Sequence, residues 1–384
     1  MAETEQQVSL VRQDVFHGCR TVIIKIGSNV LTTQGDRLDV ARIRTLAKQI
    51  DRLRASGRQV VIVSSGAVAA GLGILGLAER PDSLPELQAA ASIGQPHLMQ
   101  AWNDALSEFG HRTAQVLVTV NDFRNRQRYL NIRNTLRTLL SYNAIPVINE
   151  NDAVSIKEIA VGDNDQLATM LATLLPSPLL IILSGVNGLF DGPPSAASSR
   201  VIPLVDHPDN SLLPLATDER SSRGRGGMPS KLRAIISATA MGEAVILAGG
   251  RQDNVLIDVM EGRSVGTLFL ATGETISAWK RWIGFTAAPA GLLTLDAGAV
   301  TAVRESGKSL LAVGVAGVSG QFEPGAVVGL QTTEGQEFAR GLANYSSEEL
   351  QRIAGKRRSE ISMVLGHAPF AEVIHRDNLA LTGR

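Results

Sequence analysis

The apolar residues of this chain come in short unbroken runs, separated by longer stretches in which they recur every three or four positions. Residues 21–26, TVIIKI, form the first run, β-branched and bounded by Gly27, which reads as a buried strand. Behind it Val40, Ile43, Ala47, Ile50 and Leu53 share one face at helical spacing, with Arg and Lys on the other; Asp39 can cap this helix and Gly57 can end it. The alternation then repeats. VVIVS at 60–64, AQVLVT at 114–119 and IPVIN at 145–149 predict strands, and the segments at 86–106 and 129–140 predict the helices between them. LATMLATLL at 167–175 and KLRAIISATA at 231–240 predict further helices, and LLIIL at 179–183, AVILA at 244–248 and GTLFL at 266–270 further strands. Continuously apolar strands have both faces covered, so helices are expected on both sides of a mostly parallel sheet. The fold class is therefore α/β, a doubly wound domain over residues 20–270.

Elsewhere the texture changes. Residues 187–227 contain Gly192-Pro193-Pro194 and RSSRGRGGM, an irregular stretch long enough to be functional or mobile. From 291 onward, GLLTLDAGAVTAV, SLLAVGVAGVSG and GAVVGLQTTEGQEFARGL read as short strand-like pieces punctuated by Gly. They predict a small, mostly β second domain over 291–384, reached through a connector at 271–290; residues 1–19 form a polar N-terminal extension.

Composition narrows the function classes. The chain has 384 residues, enough for two or three domains, with 44% hydrophobic and 19% charged residues, as in a globular protein. Lys plus Arg equals Asp plus Glu at 37 each, so no whole-protein field draws in nucleic acid or an anionic membrane, and an anionic ligand has to be recognised locally. One cysteine, Cys19, and six scattered histidines give neither an intramolecular disulfide nor a zinc spacing. Residues 60–78 run 19 positions without a charge, near the length of a membrane span, but four glycines and Ser64-Ser65-Gly66 divide them into a strand and a helix start. The polar N-terminus lacks the apolar core of a signal peptide, and a cytoplasmic location is expected.

Ligands of open α/β sheets bind beyond the carboxyl ends of the strands, and four such loops stand out. KIGSN at 25–29 places Lys25 inside an otherwise apolar strand, directly before Gly27; a buried lysine needs an acidic or anionic partner. VSSGA at 63–67 offers Ser65, Gly66 and helix-start amides to an anion. VINEND at 147–152 and VGDNDQL at 161–167 crowd Asn149, Asp152, Asp163, Asn164 and Asp165 between apolar runs. Capping of the next helix by Asp163 or Asn164 explains part of this cluster, but not all of it. RGRGGMPSK at 223–231 is a Gly-rich loop that enters a helix and ends in Lys231. Residues 302–309, AVRESGKS, fit a relaxed P-loop pattern, but a strand follows where a P-loop requires a helix. Two lysines on phosphate-ready loops, with carboxylates between them in sequence, point to phosphoryl transfer, a reaction that asks mainly for positioning and cations. A carboxylate between two lysines would hold both and offset their repulsion.

In their order along the chain, KIGSN, VSSGA, VINENDAV, VGDND and GRGGMPSK resemble the amino acid kinase family, and in particular its members that act on free glutamate. Residues from 291 resemble a PUA domain, so the likeness covers most of 20–376. It implies the amino acid kinase fold and transfer of the ATP γ-phosphoryl group, with Mg²⁺, to the side-chain carboxylate of L-glutamate. By motif, Lys25 and Lys231 would be catalytic with Asp165 orienting them; Ser65, Asp152 and Asn164, together with Asn149 and Asp163, would bind glutamate. Gly27 and Gly66 would lend amides to phosphate oxygens, and Ser184, Gly185 and the run Arg225, Gly226, Gly227, Met228, Pro229, Ser230 and Lys231 would line the nucleotide. Where family members usually carry Thr-Asp, this chain has Ser184-Gly185, and Arg225 is expected to take over lost polar contacts. The resemblance also implies feedback inhibition by proline and a homo-oligomer, dimer or tetramer. The rivals are family members acting on N-acetylglutamate, aspartate, UMP or carbamate, and an RNA-binding protein that uses its PUA domain. Against the last, residues 291–366 hold seven Lys and Arg against eight Asp and Glu.

Overall fold

The computed structural model describes residues 2–33, 37–77, 79–155, 164–216, 227–272, 280, 282–367 and 370–382. Two compact units are present, one made of Met1–Asp122 and Gln127–Thr275, the other of Phe123–Arg126 and Ile276–Arg384.

In the first unit the elements run α1 (Ala2–Gly18), β1 (Thr21–Ile26), α2 (Ser28–Leu31), α3 (Val40–Ala55), β2 (Gln59–Ser64), α4 (Ala67–Leu75), α5 (Leu84–Ser107) and β3 (Thr113–Val118). They continue with α6 (Val120–Arg124) and α7 (Arg126–Ser141), whose adjoining ends at Phe123–Arg126 belong to the second unit, and then β4 (Ile145–Glu150), α8 (Asn164–Ala172), β5 (Pro178–Ser184), β6 (Leu204–Val205), α9 (Met228–Ala240), β7 (Ala244–Gly249), α10 (Val255–Met260) and β8 (Thr267–Phe269). Eight strands form one sheet in the order β3-β4-β2-β1-β5-β7-β8-β6, parallel except where β8 meets β7. Asp39 caps α3 through the amide of Arg42, as its position before the apolar stripe predicts. Among the described residues no helix is long and apolar enough to cross a membrane.

Central position explains the unbroken strands: β1 lies between β2 and β5 and is buried along its whole length. Strand β3 departs from the expectation that every strand is covered on both faces. It is an edge strand, half-buried, with Leu117 exposed, because only β4 pairs with it.

Helices α4 and α5 cross with backbones in contact. A Cβ on Gly71 would lie 1.8 Å from Ala90 O, and one on Gly94 would lie 1.9 Å from Ala67 O, so only glycine fits at either position. This crossing brings the middle of α5, including Gln95, up to the loop after β2.

The polar N-terminal extension is a helix anchored on the first unit. Arg12 of α1 is buried and donates 2.8 Å hydrogen bonds to the carbonyls of Pro203, Val265 and Gly266. Burial lowers its pKa to about 10, which leaves it charged at neutral pH.

In the second unit a separate core lies against a five-stranded sheet ordered β10-β9-β11-β12-β13, built from β9 (Gly291–Leu295), β10 (Val315–Gly320), β11 (Val327–Gln331), β12 (Glu337–Leu342) and β13 (Leu379–Leu381). The strand-like reading of 297–303 is corrected: Ala297–Arg304 is helix α11, capped by Asp296, whose side chain accepts from Ala299 N. Two further helices, α12 (Ser347–Ile353) and α13 (Arg358–Leu365), follow β12. After AVRESGKS the chain forms a bridge, a 3-10 turn and then β10, so the helix a P-loop requires is absent there.

Candidate active site

Every candidate residue that the structure describes lies at or just beyond the carboxyl ends of the first unit's central strands, or in the first turns of α8 and α9. Asp163, Arg225 and Gly226 lie outside the described residues.

Along β1, Val22, Ile24 and Ile26 point into the main core. Strand alternation sends Lys25 to the opposite face, against which α8 packs. There Lys25 Nζ lies 2.6 Å from Oδ1 of Asp165, and Lys231 Nζ lies 3.2 Å from Oδ2 of the same carboxylate. Lys25 is 2% exposed and Asp165 0%. Two ammoniums thus converge on one buried carboxylate, an arrangement that suits an anionic phosphoryl group held between the lysines.

Local structure fixes all three. Asp165 sits in the first turn of α8, where the helix dipole favours a carboxylate. Lys231 sits in the first turn of α9, after the extended cap Gly227 and with Pro229 at the helix start. A lysine there opposes the dipole, so the position does not serve helix stability. Thr169, which sequence reasoning missed, joins the two helices, its hydroxyl 3.1 Å from Asp165 O and 3.2 Å from Ala234 O.

Beside this ionic cluster runs a chain of neutral groups. Asn164 Nδ2 donates to Ser65 Oγ at 3.0 Å and to Asn149 Oδ1 at 2.9 Å; Asn149 Nδ2 donates in turn to Gln95 Oε1 at 2.9 Å. The capping role expected of Asn164 is not seen, since its side chain donates to these groups and its Oδ1 is buried with no partner among the described residues. Asp152 lies at the far end, in a cavity of about 270 Å³ lined also by Gln95, Pro96, Gln115, Leu117 and Glu150. Helix α5 holds the turn after β4, because Gln88 Nε2 donates to Ser155 O at 3.0 Å while Ser155 Oγ donates to Glu150 Oε1 at 2.7 Å. Gln95 was not a candidate, yet α5 carries a signal: Gly94 and Pro96 flank Gln95 inside an apolar helix, where neither favours helix.

On the other side of β1 the glycines divide in their use. Gly66 has φ +111°, a left-handed conformation that only glycine adopts without strain, and it starts α4. The amide of Gly27 is not available to a phosphate, because it donates to Leu183 O at 3.0 Å; Gly27 instead gives room, a Cβ there lying 3.7 Å from Lys25 Nζ. Ser184 ends β5 and its carbonyl accepts from Gly250 N at 2.7 Å. Gly185 is exposed, and a Cβ on it would lie 3.6 Å from Cβ of Asn29. Asn29 Oδ1 is buried with no partner among the described residues. Gly227, Met228, Pro229 and Ser230 form the entry to α9, where Ser230 Oγ donates to Gly227 O at 3.2 Å.

Comparison with known proteins supplies an independent measure. The model of the amino acid kinase family matches residues 20–248, and that of the PUA domain matches residues 291–365. A glutamate 5-kinase of Thioalkalivibrio sulfidiphilus is 46% identical over 382 residues, which is 99% of this chain and 100% of that one. A glutamate 5-kinase of Rhodopirellula baltica is 43% identical over 373 residues, 97% of this chain and 96% of that one. Among solved structures, the carbamate kinase from Giardia lamblia bound to AMP-PNP aligns with 66% of this chain and 98% of its own, at 19% identity and a TM-score of 0.49.

Proposed function

The chain belongs to the amino acid kinase family, and on that premise we propose that it transfers the γ-phosphoryl group of ATP to the side-chain carboxylate of L-glutamate. The product is L-glutamyl 5-phosphate, the reaction of a glutamate 5-kinase and the first step of proline biosynthesis. The observation that carries this reading is the single buried carboxylate of Asp165 held between the ammoniums of Lys25 and Lys231.

In the transfer, the two lysines flank the migrating group and stabilise the charge spread over its oxygens, while Asp165 keeps them spaced and aimed. The nucleophile is the acceptor's own carboxylate. It is ionised at neutral pH and needs no general base. Asn164, Ser65 and Asn149 line the approach of the acceptor, and Asp152 faces its α-ammonium. Ser184, Gly185 and the entry to α9 accommodate the nucleotide. Mg²⁺ bound with ATP would neutralise phosphate charge, and the buried Oδ1 of Asn29 beside Gly185 is a hard oxygen of the kind that fits such a cation. Inhibition by proline and assembly into dimers or tetramers belong to the same proposal.

The test is an acceptor panel with ATP and Mg²⁺, any acyl phosphate being trapped as its hydroxamate. Hydroxamate with L-glutamate supports the reading. Hydroxamate with N-acetylglutamate alone, or ADP release with UMP alone, overturns it.

A further inference from the structure

The amide chain beside the lysines has a direction, and the backbone sets it. The N–H of Glu150 donates to the side chain of Asn149 at 2.9 Å, and a backbone amide can only donate, so the Asn149 atom that receives it is Oδ1. Its other atom is then Nδ2, and the group facing Nδ2 has to be an acceptor, which fixes Oε1 of Gln95 at 2.9 Å. The group facing Asn149 Oδ1 has to be a donor, which fixes Nδ2 of Asn164 and leaves the Asn164 oxygen buried without a partner among the described residues. One main-chain hydrogen bond thus orients three side-chain amides. The chain ends in a carbonyl oxygen beside Asp165 and in the NH₂ of Gln95, which lines the cavity that also holds Asp152. Among the described residues nothing accepts from Gln95 Nε2.

We propose that Gln95 Nε2 binds the α-carboxylate of the acceptor amino acid, with its α-ammonium facing the carboxylate of Asp152 in the same cavity. This deepens the reading above and rests on it. A zwitterionic head presents one acceptor group and one donor group, and the cavity offers the oriented NH₂ of Gln95 to the first and the carboxylate of Asp152 to the second. Rotation of the Gln95 amide would reverse the match, but it would set Nε2 against Nδ2 of Asn149, and that contact opposes it. The arrangement makes Gln95 a specificity determinant for a free α-carboxylate, which separates an α-amino acid from its amide.

Substitution Gln95→Glu isolates the claim. The introduced carboxylate still accepts from Asn149, so the internal chain is kept, while the group facing the cavity changes from donor to acceptor. The probes are L-glutamate and L-isoglutamine, whose side-chain carboxylates are identical and whose α-groups are a carboxylate and a carboxamide. At about pH 8, with the glutamate side chain ionised, kcat/KM for L-glutamate should fall roughly 10- to 100-fold, mostly in KM, with KM for ATP unchanged. L-Isoglutamine should lose less than about threefold, because its carboxamide can donate to the new carboxylate. An equal loss for both acceptors means that Gln95 acts only through Asn149 and overturns the proposal, as does no loss for either. Gln95→Met, which keeps shape but removes both polar atoms, should lower both acceptors and tells a folding defect apart through its melting curve. A wild-type protein that phosphorylates N-acetylglutamate but not L-glutamate overturns the function reading itself, and this inference with it.

Discussion

The two ends of the site do different work with different forces. At the proposed phosphoryl end, full charges meet at 2.6 and 3.2 Å in a buried setting, where Coulomb attraction is strong and an anionic guest is favoured. At the proposed amino acid end, neutral amides and a hydroxyl are chained at about 3 Å by bonds individually worth roughly 1 kcal/mol. The ionic end suits a group whose charge moves during reaction. The amide end suits a guest whose donors and acceptors are fixed. Mutations at the first should therefore appear in kcat, and mutations at the second in the KM of the acceptor.

The widest gap between the ends is expected for Lys25→Met, which keeps the length of the side chain but removes the ammonium 2.6 Å from Asp165. Loss of about 1,000-fold in kcat, roughly 4 kcal/mol, is expected in steady-state kinetics, with acceptor KM little changed. Next comes Gly94→Ala. The new Cβ would meet Ala67 O, and the helix crossing that presents Gln95 would have to open. Thermal melting should show a destabilisation of about 3 kcal/mol, accompanied by a raised acceptor KM and an unchanged KM for ATP. Asn164→Ala removes the amide that joins Ser65 to Asn149. Its acceptor KM should rise by roughly 30-fold, about 2 kcal/mol, while kcat at saturation stays within about threefold. The smallest effect belongs to Thr169→Val, which unties α8 from α9. About 1 kcal/mol of stability should be lost in denaturant unfolding, together with a modest fall in kcat.

The ionic end was also the more legible one in the sequence. Lys25 interrupts an apolar strand and Asp165 opens an apolar helix, and each anomaly shows within a window of six or seven residues. The strand and helix pattern of the first unit was legible for the same reason, since periodicity is local. What escaped depends on partners far away in the chain. Arg12 reads as a surface residue until the carbonyls of Pro203, Val265 and Gly266 surround it. Gln95 looks like an ordinary polar position until Asn149 reaches it across 54 residues. The exposure of β3 follows from its place at the sheet edge, which apolar content cannot reveal. Residues 297–304 misled because short Ala, Gly and Val runs fit either structure, and the decisive signal is one capping aspartate, Asp296.

Asp165→Asn tests the bridge between the two lysines most directly, because it keeps the shape of the side chain and removes the charge that pairs with both. The variant should lose about 100- to 1,000-fold in kcat while KM for glutamate and for ATP stay within about threefold of wild type. A kcat within about threefold of wild type would contradict the account.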